Sequence, residues 1–359
     1  MTIFLKTGAF IASNKHILFI TPGFPESEAD SQCIPALWIY AKALFDSGMK
    51  VSIISLQYPF VEKQYRWNGI SVYPLNGANK KFKQLTLSKK AIRRAHEIHR
   101  NEPVDLVHSF WLHRATEIAS KVSKSLRVPM LATAMGQEMR NPKRSFAKWK
   151  DADFPIVSIS EFQSDALKAK GVIPTAVIPW GIEQSFRKEK DVDLICVGSL
   201  IPLKNTSYFI DLCAKMRADA EEFRAIVIGD GPDREALENQ IQSNNLKSNI
   251  QLMGSMSYEE TQAWIARSKV LVHASDFEGF GMTIIEALTN ETHVLATPVG
   301  IARDLEIPHL IGDPQLDVAM LRMLLKSDQP ESQIFSVSET VKAYQTIYES
   351  GSKGKAIGS

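Results

Sequence analysis

VLVHASDFEGFGMTIIEAL, residues 270–288, runs from a β-branched apolar stretch (Val270–His273) through a glycine-flanked turn into an apolar helix start. That is the grammar of a buried parallel strand that leaves its sheet, turns and begins a crossover helix. Two carboxylates, Glu278 and Glu286, bracket the helix N-terminus. The same grammar recurs on both sides. Upstream, Ile17–Thr21, Val51–Leu56, Leu106–Ser109, Met130–Thr133 and Ile156–Ile159 read as strands; nearer by, so do Leu194–Val197, Ala225–Ile228, Ile250–Leu252 and Val294–Ala296. Helix-compatible segments separate them, which predicts two doubly wound α/β sheets.

The two series meet at Val177-Ile178-Pro179-Trp180-Gly181-Ile182-Glu183, where a Pro and a Gly interrupt the alternation, so the hinge is expected over Ile182–Asp191. A first domain over 1–185 and a second over 186–335 follow. Val341, Tyr344, Ile347 and Tyr348 stand at helical spacing after Ser336 and Ser338, predicting a terminal helix over 336–350. The chain's 359 residues suffice for two cores. Apolar residues make up 44% and charged residues 23%, and no apolar run is long enough to cross a bilayer. Met1–Ser13 reads as a short extension rather than a signal sequence, because Lys6 interrupts its apolar part. Cys33, Cys196 and Cys213 have no metal-ligand spacing and fit a reducing cytoplasm. A net charge of +2 gives no whole-molecule field for nucleic acid.

Chemistry is read from strand exits, because open α/β sheets bind ligands beyond the carboxyl ends of their strands. The unpaired amides and positive end of the helix after Gly281 suit an anion such as a diphosphate beside Gly279, Phe280 and Gly281. Glu286, on an otherwise apolar helix, needs hydrogen-bond donors that ribose hydroxyls supply. Gly198-Ser199-Leu200-Ile201-Pro202-Leu203-Lys204 follows the first strand of the second domain and places Lys204 to neutralise a leaving diphosphate, with Gly198 and Ser199 beside it. Gly229-Asp230-Gly231-Pro232 follows another strand of the same sheet, which makes Gly231 a candidate at the donor; a tight turn is its plainer reading. In the first domain, Gly23 ends a strand, His108 and His113 follow another, and Gly136-Gln137-Glu138 a third; all are candidates to meet an acceptor. Asp151-Ala152-Asp153 and Asp191-Val192-Asp193 miss the strand exits, so no metal is expected there. Basic residues crowd 80–100 (Lys80, Lys81, Lys83, Lys89, Lys90, Arg93, Arg94, Arg100) and 140–150 (Arg140, Lys143, Arg144, Lys148, Lys150). They suit an anionic membrane surface, an anionic acceptor or a solvated helix face.

With these residues in view, the chain resembles glycosyltransferase family 4, retaining enzymes of the GT-B fold whose marker is two glutamates separated by seven residues, matched here by Glu278 and Glu286. Val177–Glu183, Gly198–Lys204 and Gly229–Pro232 look like further family segments. The resemblance implies two Rossmann-like domains facing each other across a cleft, with the last helix crossing back to the first. It also implies a UDP- or GDP-sugar donor and no cofactor or metal. Glu286 would hold the ribose and Glu278 the transferred sugar, while Lys204 and the Gly279–Gly281 amides would hold the diphosphate. The acceptor is expected to be a glycan, a lipid-linked or a small molecule in cell-surface polysaccharide synthesis, handled in the cytoplasm or at the inner membrane face. Met135 stands where the family often has a histidine, so His113 or Glu138 is expected to substitute; Ser199 stands where many members have an arginine, an absence that Lys204 and the helix end are expected to offset. Val299–Pro314 is short for the family. Two other readings are a GT-B nucleotide-sugar 2-epimerase and a non-catalytic nucleotide-sugar-binding subunit.

Overall fold

Apolar strands that alternate with helices bury both faces only as a parallel sheet with right-handed crossovers. The computed structural model describes residues 14–140, 146–182, 188–219, 221–330 and 335–350. These divide into two compact units. The first holds the described residues up to Ile159, then Gln163–Gly181, then those from Ser336 onward; the second holds Ser160–Phe162 and those between Ile182 and Phe335. The division falls at Gly181/Ile182, four residues before the expected 185/186, and residues 183–187 of the anticipated hinge lie outside the described residues. Met1–Ser13 and the tail after Ser350 also lie outside them.

The first unit contains β1 (His16–Gly23), α1 (Pro35–Asp46), β2 (Lys50–Tyr58), β3 (Tyr65–Trp67), β4 (Ile70–Pro74) and α2 (Lys81–Asn101). It continues with β5 (Leu106–Phe110), α3 (Arg114–Leu126), β6 (Met130–Thr133), β7 (Ile156–Ser158), α4 (Glu161–Ala169, from Gln163 onward in this unit) and β8 (Ala176–Val177). Among the described residues its sheet has the order β3-β4-β2-β1-β5-β6-β7-β8, parallel except for β3. The β3–β4 hairpin is absent from the predicted strands, although Asn68-Gly69, with φ of 45° and 85°, is the expected signal for so tight a turn.

The second unit contains β9 (Val192–Val197), α5 (Thr206–Ala218), β10 (Ala225–Ile228), α6 (Arg234–Ser243) and β11 (Ile250–Gly254). There follow α7 (Tyr258–Ala266), β12 (Ser268–His273), α8 (Met282–Thr289), β13 (His293–Ala296) and α9 (Pro314–Lys326). Its sheet is parallel throughout, in the order β11-β10-β9-β12-β13.

The terminal helix α10 (Val337–Ser350), predicted from its spacing, belongs to the first unit, as the family resemblance implies. Tyr344 and Tyr348 on it are fully buried. The Tyr348 hydroxyl lies 2.7 Å from both Tyr40 Oη and His108 Nδ1, while Tyr344 Oη lies 2.9 Å from Thr133 Oγ1. Aromatic burial brings α10 onto the unit, and the hydrogen bonds fix its rotation.

Both sheets reverse their direction of growth at one place. In the second unit the chain builds outward from β9 to β11, then returns to lay β12 on the other side of β9. In the first the reversal lies between β1 and β5. At such a point the loops leaving neighbouring strands diverge to opposite faces and leave a crevice.

Candidate active site

The loops that leave β9 and β12 carry the clearest chemistry. After β9, Gly198 (φ +159°) leads into a short turn over Pro202–Lys204. The Asp276 N–H donates to the Leu203 carbonyl at 2.9 Å and ties this loop to the one after β12. The β12 loop is braced from β13: the Thr297 N–H donates to the His273 carbonyl at 3.0 Å, and its hydroxyl to the Ser275 carbonyl at 2.5 Å. Ile301 N–H donates to the Phe280 carbonyl at 2.7 Å.

Glu278 stands where these loops converge. Its Oε1 accepts from the Lys204 ammonium and lies 3.1 Å from His273 Nε2. Its side chain is 13% exposed and that of Lys204 24%, whereas His273 is 4% exposed. Burial alone would raise the Glu278 carboxyl, but the His273 and Lys204 contacts outweigh it and hold it at about 2. The group is a carboxylate throughout the physiological range. Ser199 is exposed on the β9 loop.

Helix α8 begins at Gly281, whose φ of +99° turns the chain into the helix, and no side chain caps its first turn. Gly279, Phe280 and Gly281 thus lie directly before a helix end whose first amides lack a side-chain acceptor. Four residues into the helix, Glu286 is 4% exposed. Burial pushes its carboxyl up to about 7, and the Gln262 side chain offsets only part of that.

Two glycines set loop spacing. A Cβ on Gly229 would sit 1.9 Å from the Gly198 carbonyl oxygen, and one on Gly231 would sit 2.3 Å from that of Leu200. The pair lets the β9 and β10 loops touch, so Gly231, expected at the donor, has a packing duty that requires glycine by itself. Gly300 (φ +58°) serves the β12 loop likewise, its absent Cβ facing the Phe280 carbonyl oxygen at 2.4 Å and Glu278 Cβ at 2.9 Å. His273, Thr297 and Gly300 are absent from the sequence-predicted set. His273 reads as a strand residue, and only Pro298-Val299-Gly300 after β13 hinted at a turn.

In the first unit a pocket of about 450 Å³ opens at the β1/β5 reversal, lined among others by Pro22, Gln57, Asn79, His113, Arg114, Glu117 and Lys148. His113 caps α3, its Nδ1 accepting from the Ala115 N–H at 3.3 Å. Glu117 pairs with Lys148 and, at 3.4 Å, with Arg114. Gly23 ends β1 and is buried, and a Cβ added there would meet Cys33, Ile34 and Tyr58 at ordinary contact distance.

Two expectations are corrected here. His108 is fully buried, held by Tyr348 and, at 2.8 Å, by Thr133 Oγ1, and burial holds its pKa well down. It is a neutral core residue with no face for an acceptor. Glu138 is 2% exposed, and its Oε1 accepts from the Leu112 and Met135 amides, both at 3.0 Å. It fastens the β5 and β6 loops to each other, which places it behind the pocket rather than in it.

Of the basic stretches, Lys90 pairs with Glu62, Arg93 and Arg94 with Glu97, and Arg94 also stacks over Tyr73. Residues 141–145, with Lys143 and Arg144, lie outside the described residues. Asp191 pairs with Arg224 and Arg267, and Asp193 with Lys269. Among the described residues no helix is long and apolar enough to cross a membrane.

Residues 181–314 match the family described as glycosyl transferases group 1. An uncharacterised glycosyltransferase of Methanocaldococcus jannaschii is 27% identical over 229 residues, 62% of this chain and 64% of its own length, just under two thirds. The GPI3 subunit of the Saccharomyces cerevisiae phosphatidylinositol N-acetylglucosaminyltransferase is 28% identical over 137 residues, 36% of this chain and 30% of its own. Among solved structures, a glycosyltransferase from Rickettsia africae superposes with a TM-score of 0.73 at 19% identity, covering 96% of this chain and 100% of that one. Anabaena HepE, in complex with UDP and glucose, superposes with a TM-score of 0.66 at 17% identity, covering 95% and 99%. These likenesses establish the fold, two Rossmann-like domains of the GT-B kind.

Proposed function

We propose that this chain, whose residues 181–314 match the glycosyl transferases group 1 family, is a retaining glycosyltransferase that takes its sugar from a UDP- or GDP-sugar. The observation that carries the reading is the meeting of Lys204, Glu278 and the uncapped start of α8 at the sheet reversal between β9 and β12. A cation and a helix N-terminus together suit a diphosphate, and a carboxylate beside them suits the hydroxyls of a sugar. Gly198 and Ser199 border the phosphates, and Glu286 takes the ribose hydroxyls.

In this mechanism the bond between the anomeric carbon and the phosphate oxygen breaks, and negative charge develops on the diphosphate. Lys204 and the amides at Gly279–Gly281 stabilise that charge without a metal. The acceptor oxygen bonds to the anomeric carbon on the face the phosphate leaves, and its proton passes to the departing phosphate oxygen. Glu278 supports the positive charge that grows on the sugar ring. The first unit supplies the acceptor site at its own sheet reversal, where His113 and the Arg114–Glu117–Lys148 cluster border a pocket that suits a hydroxylated glycan, lipid-linked or small-molecule acceptor. Placement in the cytoplasm, at a membrane face, and in polysaccharide synthesis belongs to the same proposal.

A thermal-shift panel of UDP-, GDP- and ADP-sugars tests the reading, because a ligand at 100 times its Kd stabilises the folded state by about 2.7 kcal/mol. One nucleotide series is expected to raise the melting temperature of the wild type and to lose that effect in Lys204→Ala. No shift with any donor would overturn the assignment.

A further inference from the structure

We propose that His273 is a positioning residue that anchors Glu278 when Lys204 transfers its contact from that carboxylate to the donor diphosphate. The inference rests on the donor reading above. Lys204 and His273 hold the same oxygen, Glu278 Oε1, and differ in mobility. Lys204 is a flexible, part-exposed side chain on a loop, its stem passing 3.5 Å from the position a Gly198 Cβ would take. A diphosphate, with more charge than one carboxylate, draws the ammonium away. His273 does not follow, because it ends β12, its carbonyl is bonded to the Thr297 N–H, and its ring is 4% exposed.

The chemistry of the ring agrees. Its Nδ1 is buried without a hydrogen-bond partner among the described residues, so the ring's polar contact is through Nε2. Nε2, 3.1 Å from Glu278 Oε1, is the ring nitrogen that meets the carboxylate, and an N–H there donates to it. Ser275 Oγ, 3.4 Å from the same nitrogen, is its other polar neighbour. Among the described residues, the titratable and charged groups that face Glu278 are thus His273 from β12 and Lys204 from the β9 loop. Without His273, a donor that draws Lys204 away leaves Glu278 with no fixed partner, free to turn or to take up a proton.

The test uses the full chain, binding of UDP and GDP by calorimetry, and release of nucleoside diphosphate from the matching sugar donor in water, which needs no acceptor. In His273→Ala, nucleotide affinity is expected to stay within about threefold of wild type. The hydrolytic kcat is expected to fall about a hundredfold, and the acid limb of its pH profile to move to higher pH. His273→Gln, which restores an N–H donor, is expected to recover at least tenfold of the loss. Should the alanine chain fail to fold, His273→Phe, which fills the volume without a donor, takes its place with the same expected loss. An unchanged kcat and pH profile in the alanine or phenylalanine variant, or equal losses with and without the glutamine donor, would overturn the role of His273. Failure of the wild type to bind either nucleotide would overturn the donor reading itself, and the inference with it.

Discussion

At the scale of single residues, Glu278 and Glu286 have opposite surroundings and call for opposite pH behaviour. The Glu286 carboxyl moves from 4.5 to about 7 on folding, so between those values the folded chain keeps a proton that the unfolded chain has lost. Stability therefore falls as pH rises through that window, by about 3 kcal/mol once both states are ionised. Glu286→Gln is expected to match wild type near pH 5 and to exceed it near pH 8 in urea unfolding. Equal gains at both values would show that burial of charge is not the cause. Glu278 behaves in reverse: its carboxyl lies below its ordinary value, so the stability it contributes is present above pH 4.5 and is lost as pH falls toward 2. A donor whose ribose hydroxyls bind Glu286 would favour its charged form, so binding near pH 7 is expected to release protons. Calorimetry in two buffers of different ionisation enthalpy would detect this, and identical heats would count against the ribose contact.

At the scale of elements, loops are held by absent side chains as much as by present ones. Gly300→Ala places a Cβ against the Phe280 carbonyl at a backbone angle that disfavours L residues, and the strain should cost roughly 1–3 kcal/mol. The β12 loop carries Glu278, so this variant is also expected to lose the nucleotide-induced thermal shift. A stability loss with an intact shift would separate the glycine's role in folding from any role in the site. The Glu278–Glu286 pair was legible because both members lie within one strand-turn-helix unit. The hairpin at Asn68-Gly69 carried an equally local signal. The basic face of α2 was legible as composition only, because its partners Glu62 and Tyr73 come from other elements.

At the scale of the whole molecule, the two units have separate cores and should show separate unfolding events. Tyr348→Phe removes the hydroxyl that Tyr40 and His108 share inside the first unit, which should cost roughly 1–3 kcal/mol for the polar groups left unpaired. Scanning calorimetry is expected to show this variant lowering one transition, while a bound nucleotide raises the other. A single transition moved by both changes would mean that the units unfold together.

By itself the sequence determined the alternation of strand and helix, the existence of the terminal helix, and the choice of Lys204, Glu278 and Glu286 as candidates, because each rests on short-range periodicity or on a motif at a strand exit; the return of that helix to the first unit was implied only by the family resemblance. Tertiary structure alone decided that His108 is core and not site, that Glu138 fastens two loops from behind the pocket, and that His273 shares an oxygen with Lys204. Those outcomes depend on which strands become neighbours. A histidine at a strand exit reads the same in sequence whether its ring ends against a buried tyrosine or beside a carboxylate, and only the order of strands in the sheet tells the two apart.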